Sequence, residues 1–167
     1  MLKIVCLFVI ILLTSCGGMY FSAALKNRVI SLKRMSYMLE EIYIMLEYRS
    51  ATVYEISEAL SRDERFAEFG FLRELSFSSE KSFQQSWCEA VGNNVPTGIT
   101  KSDSELLMNI GRQLGTSDLD GQISGIKLRQ AELDSAIASA GEEYSRKAKL
   151  YRSLGVLSGV FIAIILV

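Results

Sequence analysis

The sequence predicts an all-α membrane protein: a bundle of about six helices held between a hydrophobic segment at each end. Three observations predict it. Every charged residue except Lys3 lies between Lys26 and Arg152, the charge map of a membrane–soluble–membrane chain. Within that stretch apolar residues recur at spacings of three and four, and nothing alternates as a strand would. Pro96 is the only proline, so long stretches are free to be helical. The 167 residues suit one domain. Their 49% hydrophobic content and mean hydropathy of +0.22 are high for a soluble chain, and the excess sits at the ends.

Residues 1–24 read as an N-terminal transmembrane anchor, 25–152 as a cytosolic helical domain and 153–167 as a C-terminal transmembrane segment. Leu2 to Phe21 is apolar apart from Lys3, Thr14, Ser15 and two glycines. Leu13-Thr14-Ser15-Cys16 also resembles a bacterial lipobox, with Cys16 as the acylated residue. The alternative reading is therefore an outward-facing lipoprotein-type binding module anchored through Cys16. Lys26, Arg28, Lys33 and Arg34 follow the first segment, and Arg146, Lys147, Lys149 and Arg152 precede the second. Both clusters face the middle of the chain, which favours a cytosolic domain with both termini on the far side of the membrane.

The elements follow in order. Leu32, Met35, Met38, Leu39, Ile42, Met45 and Leu46 form one apolar stripe on a helix starting near Ile30. Thr52-Val53-Tyr54-Glu55 reads as a capping box opening a short helix to about Ser61. A third helix is expected from Glu64 to Leu75, with Phe66, Phe69, Leu72 and Leu75 on one face and Gly70 weakening it. Ser78-Ser79 opens a fourth, carrying Phe83, Trp87 and Val91, and Gly92-Asn93-Asn94 stops it. Ser102 and Glu105 read as a second capping box before Leu106, Leu107, Ile110 and Leu114, with Gly115 as the stop. From about Asp118 a heptad-like seam runs through Leu119, Ile123, Ile126, Gln130, Leu133, Ile137, Ala140 and Tyr144 toward the C-terminal segment.

Chemistry is nearly absent. There is no His, so the commonest general base and metal ligand is missing. Cys6, Cys16 and Cys88 lie too far apart for a metal motif or disulfide framework. No phosphate-binding glycine motif and no nucleophile elbow occurs. The carboxylate pairs Glu40-Glu41 and Glu142-Glu143 diverge by about 100° on a helix. A net charge of −1 gives no field for nucleic acid. The residues therefore predict no catalytic, cofactor or metal site, no small-molecule substrate, and a non-enzymatic interaction protein.

Several pieces together resemble a known family. They are Ser22-Ala23-Ala24-Leu25-Lys26-Asn27-Arg28, then Leu32-Lys33-Arg34-Met35 through Leu39-Glu40-Glu41-Ile42, then Ser57-Glu58-Ala59-Leu60 and Phe83 with Trp87. Leu114-Gly115-Thr116-Ser117-Asp118 leading into Gly121-Gln122 is the most specific, and Leu154-Gly155-Val156-Leu157-Ser158-Gly159 precedes the apolar end. The chain resembles the stage III sporulation protein AB family of endospore-forming Firmicutes. The resemblance implies a domain like that of platform protein F of type II secretion and type IV pilus machines. It implies a place in a secretion-like complex between mother cell and forespore, in the mother-cell membrane. There the protein would couple a cytosolic sporulation ATPase to the channel, with other membrane components, lipid and possible further copies of itself as partners. Arg34, Glu41, Arg49, Glu58 and Asp118 are the candidate partner-interface residues, chosen as charged helix-face positions.

Overall fold

The structure is a computed structural model. It describes residues 2–75 and 81–166, and the side chains of these except at positions 2–8, 10, 11, 163 and 166. The described residues are all-α, with no strand, in six helices: α1 (Leu2–Arg49), α2 (Val53–Arg62), α3 (Phe71–Glu74), α4 (Phe83–Asn93), α5 (Lys101–Gln113) and α6 (Leu119–Leu166). The chain divides into two compact units, one of residues Met1–Val29 and Ser139–Val167, the other of Ile30–Ala138. The helices α1 and α6 contribute to both.

The unit of residues 30–138 is built on the predicted stripe of α1. Leu32, Met35, Met38, Leu39, Ile42, Met45 and Leu46 are all buried, which removes one continuous apolar face from water. The helix stops at Ser50, whose φ of 47° is left-handed, and Ala51 N–H returns to the Met45 carbonyl at 3.1 Å. With Ser50 N–H on the Leu46 carbonyl at 3.1 Å, that is a left-handed helix stop made without glycine, and no glycine marks it in the sequence. The capping box of Thr52 and Glu55 forms as expected, with Thr52 N–H donating to Glu55 Oε2 at 2.7 Å.

The expected helix from Glu64 to Leu75 does not form. A 3-10 turn at Glu64–Phe66 and the single turn of α3 replace it. Successive i to i+3 bonds, including Phe69 N–H to Phe66 O at 2.9 Å and Leu72 N–H to Phe69 O at 3.0 Å, carry the chain. Phe66, Phe69 and Leu72 are spaced three apart, which suits three residues per turn. The tighter path also buries Phe71, which lies off that stripe on an α-helix. The expected start of α4 at Ser78-Ser79 lies outside the described residues; α4 is capped by Ser82, whose hydroxyl accepts from Gln85 N–H. The helix ends at Asn93, as Gly92-Asn93-Asn94 suggested. For α5 the capping box is Thr100 with Asp103, two residues before the expected Ser102 and Glu105. This register buries Asp103 against its cap and leaves Glu105 exposed.

Aromatic rings tie the short elements together. Ring centroids lie 6.0 Å apart for Phe69 and Phe71, 5.1 Å for Phe71 and Trp87, and 5.7 Å for Phe83 and Trp87. Trp87 is fully buried, and its indole N–H donates to the Leu107 carbonyl at 2.9 Å. Gly111 lies flat beneath it: a Cβ there would come within 2.1 Å of the ring. The seam of α6 closes the core with Ile126 and Leu133. Gln130, the polar residue in that seam, donates to Ser36 Oγ at 2.6 Å, which satisfies a group that would otherwise cost free energy to bury.

In the other unit, α1 and α6 pack through glycine. A Cβ on Gly18 would fall 2.5 Å from the Tyr151 carbonyl oxygen, and one on Gly155 would fall 2.8 Å from that of Thr14. Ser22 is buried and accepts from Arg152 Nε at 3.0 Å. Glu143 accepts from Lys147 Nζ at 2.6 Å and from Arg28 Nη1 at 3.2 Å.

The two expected terminal transmembrane helices are not borne out. Among the described residues, no helix is long and apolar enough to cross a membrane. The side chains of residues 2–8, 10 and 11, on which the N-terminal expectation also rested, lie outside the described residues. Large apolar side chains are nevertheless exposed at both ends, among them Leu13 (67%), Phe21 (58%), Leu157 (63%) and Ile164 (69%).

Candidate partner interface

Two of the five candidate interface residues are brought together, in a role the sequence did not suggest. Arg34 and Glu41 stand seven apart, so they share one face of α1. Arg34 pairs with Glu68, and Glu41 accepts from Arg65 Nη2 at 3.0 Å. Arg65 also forks onto Asp63, with Nε to Oδ2 at 2.8 Å. The two residues thus hold the irregular 63–68 segment against α1. The Arg65 side chain and backbone N–H together hold the Asp63 carboxyl below its ordinary 3.8, and the Asp63 and Glu41 carboxylates raise the Arg65 guanidinium.

That arrangement gives a pH dependence. The folded-state pKa of Asp63 is depressed, so its contribution is present above its unfolded value and is lost as pH falls through the folded value. Lowering pH from about 6 to about 3 should reduce hydrogen-exchange protection in residues 63–69 while leaving α4, whose cap is Ser82 with Gln85, unchanged. Asp63→Asn should give the weakened protection at both pH values. Equal loss across the chain would show that another group controls acid unfolding.

The other three candidates stand elsewhere. Glu58 pairs with Arg62 one turn on in α2, at 2.6 Å. Arg49 is exposed in the last turn of α1, where its charge suits the helix dipole. Asp118 caps α6, its Oδ1 accepting from Gly121 N–H at 3.1 Å. It lies in an exposed but well-tied loop. Gln122 accepts from Gly115 N–H at 2.9 Å and donates to the Ser117 carbonyl at 3.0 Å, while Gln84 donates to the Leu114 carbonyl at 2.6 Å. Gly115 has a φ of 73°, the left-handed conformation this turn requires. Cys16 is exposed on α1.

The sequence reading missed apolar anchors beside these charges. Tyr37, Ile44 and Tyr48 are exposed at 62%, 38% and 77% on α1. Ile30, Tyr37 and Ile44 are spaced seven apart, a second stripe opposite the buried one, and that spacing was the available signal. Exposed tyrosines flanked by charge are the composition of protein interfaces. No group of three or more potential metal-ligating side chains forms among the described residues.

No solved structure matches the chain. The curated stage III sporulation protein AB of Bacillus subtilis (strain 168) is 22% identical over 172 residues, covering 99% of each chain. The family model for stage III sporulation protein AB matches residues 3–167. With nearly every residue inside that match, from α1 through the Gln122-clamped loop to the end of α6, the chain belongs to the stage III sporulation protein AB family.

Proposed function

We propose that this sporulation-family protein is a non-enzymatic platform component of a secretion-like complex between mother cell and forespore. It sits at the mother-cell membrane, presents residues 30–138 to the cytosol, and couples a cytosolic ATPase to the channel. Family membership over nearly the whole chain carries the reading. The exposed apolar side chains on residues 9–21 and 154–165 support membrane contact, since lipid removes such surface from water at no cost in unpaired polar groups. Tyr37, Ile44 and Tyr48, flanked by Lys33, Glu40 and Glu47, are the surface offered to the ATPase.

Orientation tests the reading. Cys6 and Cys16 are replaced by serine and Cys88 by alanine, and Val95→Cys supplies one thiol in the exposed loop after α4. Sporulating cells are treated with a membrane-impermeant maleimide. Labelling only after permeabilisation is the expected result. Labelling of intact cells would place both basic clusters outside, defeat the platform reading, and favour the outward-facing module anchored at Cys16.

A further inference from the structure

Charge is divided unevenly between the two units. Residues 1–29 and 139–167 carry seven basic side chains against two acidic ones, a net +5, while residues 30–138 carry a net −6. Lys147 and Arg28 are taken up by Glu143. The exposed Lys26, Arg146 and Lys149 remain as outward charge, and Arg152 is exposed too although its Nε donates to Ser22. On α6, Arg146, Lys149 and Arg152 are spaced three apart and so share a face. Lys149 and Arg152, with Tyr144 and Ser145, line a hollow of about 400 Å³. Two cations and two hydroxyls are groups that receive a phosphate. Starting at the neighbouring residue Tyr151, an apolar groove of about 680 Å³ runs on past Phe21, Leu154, Leu157 and Phe161. Gly17 lines it, and a Cβ there would meet nothing within 4 Å.

We propose that this unit binds an anionic phospholipid, with the phosphate at Lys149 and Arg152 and an acyl chain in the groove. The proposal rests on the membrane reading above and adds a lipid class to it. Zwitterionic lipid would cover the apolar surface equally well but would leave the net +5 without counter-charge. A peptide strand in the groove would leave its own backbone N–H and C=O groups unpaired, whereas an acyl chain has none. The two cations together should favour anionic over zwitterionic lipid about tenfold at low salt, less as salt screens them.

The test uses the full chain, purified in a non-ionic detergent. It is offered equal amounts of phosphatidylglycerol and phosphatidylcholine with identical acyl chains, and retained lipid is counted by native mass spectrometry. About tenfold more phosphatidylglycerol is expected. The double variant Lys149→Gln, Arg152→Gln should bring the ratio near one, while the charge-keeping Lys149→Arg, Arg152→Lys should preserve it. Gly17→Leu, whose Cβ would meet nothing within 4 Å and whose side chain would occupy the groove, should reduce retention of both lipids. Circular dichroism of each variant should match the parent. Equal retention of the two lipids by the parent chain overturns the proposal and leaves the membrane reading standing. Retention of neither defeats both. An anionic preference that survives the glutamine variant, or bound lipid displaced by excess inorganic phosphate, also overturns it, the latter by assigning the cations to a free anion.

Discussion

Replacing Trp87 with alanine should lower the unfolding free energy of the full chain by about 3–5 kcal/mol, the largest effect expected of any single truncation in the molecule. Trp87 is completely buried. It touches Phe71 and Phe83 by ring contact, covers Gly111, and occupies the Leu107 carbonyl with its indole N–H. Alanine removes the ring contacts, opens a cavity, and leaves that carbonyl without its donor. Trp87→Phe separates the terms, because it keeps most of the ring volume and loses the N–H. Its cost should be nearer 1–3 kcal/mol. Urea titration followed by circular dichroism measures both. A Trp87→Ala loss below about 1 kcal/mol would mean that α3, α4 and α5 do not share one core around this ring.

Gly18→Leu should separate α1 from α6 within the unit of residues 1–29 and 139–167. The added Cβ alone would stand 2.5 Å from the Tyr151 carbonyl oxygen and 3.1 Å from the Gly155 Cα, both backbone atoms that cannot rotate away. The clash should cost about 1–3 kcal/mol, although leucine is the better helix former by roughly 1 kcal/mol. Ser22 would lose Arg152, and Glu143 would lose Arg28. Hydrogen exchange should accelerate in residues 14–29 and 139–158 and stay unchanged in α4 and α5. Gly17→Leu is the internal control, since a Cβ there meets nothing within 4 Å, and it should slow exchange slightly or leave it alone. Equal acceleration at both glycines would mean that close approach at Gly18 is not what holds the two helices together.

The elements that proved legible are those whose signals are local. The stripe from Leu32 to Leu46 is written in a spacing of three and four, and all of it is buried. The Thr52–Glu55 box needs only four consecutive residues, and it forms. The α6 seam through Ile126 and Leu133 was likewise readable from its period. The expected helix at Glu64–Leu75 failed because one window holds more apolar residues than an α-helical stripe can bury. The surrounding rings of Trp87 and Phe83 then favour a path that buries Phe71 as well. The α5 cap moved by two residues because Thr100 and Asp103 close the box one half-turn earlier, with Asp103 buried in the tertiary structure.

For the candidate interface the division is the same. Arg34 and Glu41 were recognisable as charges on a helix face, but their partners Glu68 and Arg65 are more than twenty residues away. A sequence carries no sign of such pairings, since an ion pair depends on where a distant loop is laid. By itself the sequence determined the all-α class, the concentration of charge between two apolar ends, the main buried stripe and the family, because each depends on residue types at fixed short spacing. Only the tertiary structure decided which charges hold α1 to the 63–68 segment, that Gly18 and Gly155 face each other, and that Trp87 lies on Gly111. Those are contacts between residues far apart in the chain, and close packing, not local spacing, selects them.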